Sequence, residues 1–223
     1  MLSLPCPSCG AQVTFRSAAL PAVVCSYCRT MVARSVEGFA AVGKVAELPF
    51  DVSPIQLGTT GSDEDGAFEV VGRIRWAWKD GGWNEWLLLY GDGSSAWLGE
   101  AMGQFMLQRE RDLTTLTARA IRSLAAGEPV SIGTKAQIDG EGLVVADARE
   151  ARCVSAEGEL PFTAPTGWTA YSVDFRSRSG RCGTLQRDSG GASFYLGRYV
   201  ELAELQPRNL RAIEGWPLPA YAA

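Results

Sequence analysis

A chain of 223 residues with a net charge of −4 and no histidine closes off several function classes at once. Without imidazole there is no histidine triad, no histidine general base and no cysteine–histidine metal site. The acidic balance is the wrong sign for a general nucleic-acid binder.

The apolar fraction of 46% is ordinary for a globular protein, and the 25 glycines fall between short apolar runs. Many tight turns and a mainly β fold are therefore expected. No apolar run approaches the ~20 residues that span a bilayer. The start, Met1-Leu-Ser-Leu-Pro-Cys6, lacks the basic and long apolar segments of a signal peptide. A cytoplasmic location, with cysteines kept reduced, follows as the expectation.

The first sharp signal is Cys6-Pro-Ser-Cys9-Gly10, followed after fifteen residues from Cys9 by Cys25-Ser-Tyr-Cys28. Two residues between cysteines let one turn aim both sulfurs at a single ion, and two such pairs have the spacing of a zinc ribbon. Gly10 can take a positive φ and turn backbone N–H groups towards the thiolates, whereas Arg29 in the equivalent place makes a less ideal turn. Gln12–Arg16 and Ala22–Val24 read as ribbon strands. Four thiolates would close the coordination sphere, so a structural zinc is the expected cofactor, with iron less favoured. Arg16, Arg29 and Arg34 are the only charged side chains in residues 1–36. A zinc bound by four thiolates adds −2, leaving the ribbon near +1, so nucleic acid is not the favoured partner.

Residues 37–53 read as a linker and first strand. From Pro54 the chain carries an internal repeat: Pro54-Ile-Gln-Leu-Gly-Thr59 matches Pro129-Val-Ser-Ile-Gly-Thr134 at an offset of 75, and Phe68–Val70 then falls on Leu143–Val145. Trp86–Tyr90 is set against Tyr171–Phe175, and Trp97-Leu98 against Thr184-Leu185. In the first copy, Trp83–Tyr90 forms a strand with Trp86, Leu88 and Tyr90 on one face and Leu87 and Leu89 on the other. Gly91-Asp-Gly93 then turns the chain into a second strand. Each copy has four or five strands, too few for an open sheet to bury both faces, so each should curl up or pack on its twin. The expected fold is a zinc ribbon followed by two related small SH3-like β-barrels with one connecting helix. Its divisions are 1–36, 37–108, 109–128, 129–206 and an extended tail at 207–223. The helix is placed at Asp112–Ala126, capped by Asp112 and ended by Gly127. Trp216-Pro-Leu-Pro219 should dock the tail by its tryptophan.

Val71-Gly-Arg-Ile74, Trp83-Asn-Glu-Trp86, Asp92-Gly93, Trp97-Leu98, Gly158-Glu-Leu-Pro161 and Tyr195-Leu-Gly197 together resemble a bacterial family, domain of unknown function 4178. The resemblance covers most of residues 54–205 and implies a fold, a frequent N-terminal cysteine ribbon and an association with membrane-stress or polyamine-related genes, but no reaction.

Two glutamates stand in comparable places, Glu85 between tryptophans and Glu159 in Gly-Glu-Leu-Pro. As a pair they are acid–base candidates; singly, each would accept backbone hydrogen bonds and fix the fold. Trp76, Trp78 and Trp83 complete a candidate ligand or partner surface. Ser62-Asp-Glu-Asp-Gly66 is too short for a calcium loop and reads as a solvated turn, while Cys153 and Cys182 read as buried small side chains. The leading expectation is a non-enzymatic, zinc-binding interaction or scaffold module with a protein partner, including a membrane-associated one. The alternatives are a small-molecule binder or enzyme using Glu85 and Glu159, and nucleic-acid binding through the ribbon.

Overall fold

Period-two alternation of apolar side chains drives most of the chain into strands. In the computed structural model, residues 1–35, 38–46, 53–215 and 217 are described. Residue 37 and residues 47–52 of the expected linker and first strand, and the docking of Trp216, lie outside them.

The N-terminal part contains β1 (Leu2–Pro5), β2 (Gln12–Phe15), β3 (Ala22–Val24), β4 (Thr30–Ser35) and β5 (Gly38–Lys44). β1 and β2 form a hairpin, and β3, β4 and β5 pair antiparallel in that order. Residues from 38 onward therefore extend the ribbon's own sheet.

Two antiparallel meanders follow. The first is β6 (Thr60–Asp63), β7 (Gly66–Trp78), β8 (Gly81–Tyr90), β9 (Ser95–Ala101) and β10 (Gln104–Arg111). The second is β11 (Lys135–Ile138), β12 (Glu141–Leu160), β13 (Thr169–Arg176), β14 (Arg181–Asp188) and β15 (Gly191–Val200). The 75-residue repeat is visible atom by atom. Gly58 N donates to Val70 O and Val70 N to Thr59 O, and Gly133 N and Val145 N make the same two bonds to Val145 O and Thr134 O. Beyond the first hairpin the offset becomes 87: Val70 opposes Leu88 as Val145 opposes Phe175, and Leu87 opposes Trp97 as Asp174 opposes Thr184. Trp97 and Thr184 are thus equivalent as expected. The match of Trp86–Tyr90 to Tyr171–Phe175 shifts by two residues, a change that preserves which face each side chain takes.

The copies do not form separate sheets. β10 pairs with β15 and β7 with β12, so eight strands close into one antiparallel ring. Outside the ring, Trp86, Leu88, Tyr90 and Leu98 pack with Ile55, Leu202 and Leu205, while Val173, Phe175, Leu185 and Phe194 pack with Ile121 and Leu124. Each copy is therefore covered by the segment that follows the other. Leu87, Trp97, Ala151, Cys153 and Tyr195 share the inner core.

The helix is shorter than expected. α1 spans Arg119–Ala125, and Asp112 does not cap it. Instead its Oδ1 accepts from the Thr114 N–H at 2.8 Å and hydroxyl at 2.7 Å, while Thr115 Oγ1 donates to Asp112 O. Threonine hydroxyls next to a free carboxylate offer the backbone a turn in place of the first helical turns.

Both seams of the ring need glycine. A Cβ on Gly197 would lie 1.8 Å from Leu107 O, and one on Gly72 would lie 1.9 Å from Glu159 O. Neither clash involves a side chain that can move aside. Gly197→Ala is expected to destabilise the protein by about 2–4 kcal/mol through forced separation of β10 and β15. Gly142→Ala, whose nearest contact would be 3.5 Å away, should change stability by less than about 0.5 kcal/mol. Urea titrations of both variants check the contrast.

Candidate functional site

The two cysteine pairs fold into matching turns. Cys6 N donates to Ala11 O and Gly10 N to Cys6 O; Cys25 N donates to Thr30 O and Arg29 N to Cys25 O. Gly10 has φ +79° and Arg29 φ +61°, so arginine occupies a backbone conformation that favours glycine. Its guanidinium is anchored: Nη2 donates to Ala46 O at 2.8 Å and to Ser155 Oγ at 3.0 Å. The less ideal turn is thus also a strut between ribbon and ring.

The sulfurs of Cys6, Cys9, Cys25 and Cys28 all lie within 4.8 Å of one another. Cys6–Cys28 and Cys9–Cys25 are 3.7 Å and 3.8 Å apart. A tetrahedral M–S₄ centre with bonds of ~2.3 Å has S···S edges of about 3.8 Å, so the four thiols are placed to hold a metal ion. The Thr30 hydroxyl and N–H lower the Cys28 thiol to about 6, while Cys9 in the same cluster is raised. The three ribbon arginines are all engaged within the protein. Arg16 pairs with Glu69 and Glu159, Arg29 reaches β12, and Arg34 donates to Ser17 O and lies over Phe15.

Glu85 and Glu159 do not meet. Glu159, 3% exposed, accepts from Arg16 N at 2.7 Å and Ser17 N at 3.4 Å and clamps the ribbon loop to β12. Desolvation raises its pKa against the lowering effect of those bonds. Glu85 points into the ring. There it accepts from Trp76 Nε1 at 2.8 Å, Trp83 Nε1 at 2.9 Å and, across the ring from β14, Gln186 Nε2 at 2.6 Å.

These side chains border a cavity of about 270 Å³ inside the ring, lined from both copies and open to solvent at the exposed Met102. Trp83, Trp97, Phe162 and Tyr195 supply aromatic walls; Ser172, Asp174, Thr184 and Gln186 supply a polar strip from β13 and β14. Trp76 is 0% exposed and stacks behind Trp83 at 5.9 Å, so Trp76 and Trp78 do not form an exposed platform. Trp78 borders the cavity and carries Arg149 over its ring at 4.2 Å. Cys153 and Cys182 are buried, and desolvation pushes both thiols up to about 12.

Asp174 is the residue that inspection of Glu85 and Glu159 missed. Its Oδ1 accepts from the Thr184 hydroxyl at 2.8 Å, and Gln108 Nε2 donates to Thr184 Oγ1 at 3.1 Å. Desolvation raises its pKa from 3.8 to about 6, with Asp147 adding to the rise. The signal was present in Tyr171-Ser-Val-Asp-Phe175, an alternating strand whose inward positions are polar. The acidic turn at 62–66 is tied to the neighbouring strands instead: Arg109 on β10 pairs with Asp63 and Asp65, and Tyr90 on β8 donates to Asp63 at 2.6 Å.

A closed antiparallel ring with an acidic, aromatic cavity, attached to a four-cysteine cluster, is the class of protein these features define. The chain belongs to the family described as Domain of unknown function (DUF4178), whose model matches residues 56–202 and takes in nearly all of both meanders. No curated protein and no solved structure matches it.

The raised pKa of Asp174 has a stability consequence. The folded form holds this proton more tightly than the unfolded chain, so stability is lost as pH rises from about 4 through about 6. Asp174→Asn keeps the acceptor for Thr184 and removes that loss. It should stabilise the protein at pH 7 by up to about 3 kcal/mol and change little below pH 4, read from denaturation at the two pH values.

Proposed function

We propose that this protein is a non-enzymatic small-molecule binder, with the ring cavity as its ligand site and the ribbon stapled by zinc. The observation that carries the reading is the cavity's polar strip. Ser172 lines the cavity at 6% exposure, and its hydroxyl has no hydrogen-bond partner among the described residues. The hydroxyl faces the cavity beside Asp174, Thr184 and Gln186, where a bound molecule can partner it. Aromatic walls with a few convergent polar groups are the usual make-up of such sites. The lining has no lysine or thiol, and three N–H donors already occupy Glu85, which supports binding over acid–base catalysis.

The four-thiolate donor set suits zinc best, because such sites are closed and structural. Ligands that must stay reduced fit a cytoplasmic setting, and no helix among the described residues is long and apolar enough to cross a membrane. A protein partner remains the second reading, supported by side chains of the ribbon. Tyr27 is 81% exposed, and Phe39 and Val42 lie exposed on β5, the edge strand of the sheet. Engagement of all three ribbon arginines weighs against nucleic acid.

A mixed-charge fragment library screened by ligand-observed NMR should give saturable binders to the wild type that are lost in Gly99→Leu. That variant fills the cavity from β9, where a Cβ meets nothing closer than 3.5 Å. Hits unaffected by the substitution, with the fold confirmed by circular dichroism, would exclude the cavity. Metal analysis should find one zinc per chain. Cys9→Ser with Cys25→Ser should remove it and lower the melting temperature by about 5–10 °C; a visible absorption band would identify iron instead.

A further inference from the structure

We infer that the ligand of the ring cavity is an organic ammonium cation, held by Asp174 and Ser172 against aromatic walls, with the hydrogen-bonded Glu85 adding countercharge. This rests on the cavity being a ligand site, and it follows from how the charges around that cavity are used.

Four carboxylates and one guanidinium line it. The guanidinium, Arg149, pairs with Asp147 and lies over Trp78. Glu100 accepts from Asn84 Nδ2 at 3.0 Å and Trp86 Nε1 at 2.9 Å. Glu85 and Asp174 are left without an ion pair among the described residues. Asp174 accepts one hydrogen bond through Oδ1, and its second oxygen has no hydrogen-bond partner among the described residues. Ser172 stands two residues away on the same face of β13, so its open hydroxyl and that open oxygen border the same part of the cavity. Together they match the N–H groups of an ammonium, which needs acceptors and a countercharge.

Competing ligand classes fit less well. An anion would enter a space already acidic in excess. A neutral molecule would bring no countercharge to Asp174, whose carboxylate the protein offsets only through Arg149 and the Thr184 hydroxyl. A hard divalent cation requires six or more oxygen ligands, but the Glu85 oxygens face indole and amide N–H donors. Among the described residues, the four cysteines are the one cluster of three or more metal-type ligands. The walls select in the same direction, since the faces of tryptophan and tyrosine attract an organic cation and also cover its alkyl part.

The test uses the full chain with its metal. Titration calorimetry compares n-butylammonium and benzylammonium with 1-butanol, benzyl alcohol and the corresponding carboxylates. The ammonium probes should bind at least about 10-fold more tightly than the alcohols. Asp174→Asn should reduce them to the level of the alcohols while leaving alcohol binding unchanged, and Ser172→Ala should weaken them about 3-fold. Melting curves establish that both variants are folded. If the alcohols or carboxylates bind as tightly as the ammonium probes and are displaced by Gly99→Leu, the cavity is a ligand site but its charge assignment fails. If no probe binds and the fragment screen is also empty, the ligand-site reading fails and this inference with it.

Discussion

One strand holds the molecule together. β12 is twenty residues long, and it pairs with β13 over its first half, with β7 over its middle and with β3 at its end. It can do so because it is irregular. Register shifts at Val145/Asp147 and Cys153/Ser155, and a positive φ at Gly158, bend it from one neighbour to the next. The second copy, the first copy and the ribbon thus share a single backbone ladder. Glu159 and Arg29 add side-chain ties near its end, so the position of the ribbon and the closure of the ring are one structural problem.

Closure also explains how the two copies diverged. Their outward positions stay apolar in both: Trp86 with Val173, Leu88 with Phe175, Leu98 with Leu185. Their inward positions differ in kind: Leu87 with Asp174, Trp97 with Thr184, Glu85 with Ser172. Outward side chains pack against covering segments, where burial of apolar area is the main stabilising effect. Inward side chains face the opposite copy across a cavity. Both copies contribute aromatic walls and carboxylates, but the hydroxyls of Ser172 and Thr184 come from the second alone, a division that a symmetric core does not need. A carboxylate held there with a raised pKa lowers stability at neutral pH, a cost commonly found where function constrains a site.

The local elements were legible in the residues themselves. Cysteine spacing marked the paired turns, the Gly91–Gly93 turn marked the β8–β9 hairpin, and alternation assigned Trp86 and Leu87 to opposite faces. The helix start was misread because Asp112 resembles a cap in sequence, while Thr114 and Thr115 compete for its oxygens. Pairing Glu85 with Glu159 followed from chain order. The ring places those glutamates on different structures, and it brings Asp174 towards Glu85 from the other copy.

The sequence by itself determined a mainly β chain, a repeat in register over its first hairpin and a four-cysteine cluster, because side-chain alternation, turn residues and cysteine spacing are written along the chain. Only the tertiary structure decided that the two copies close into one ring around a cavity. That outcome depends on β10 meeting β15 and β7 meeting β12, pairings between residues 75 to 95 positions apart, permitted where glycine lets two backbones touch.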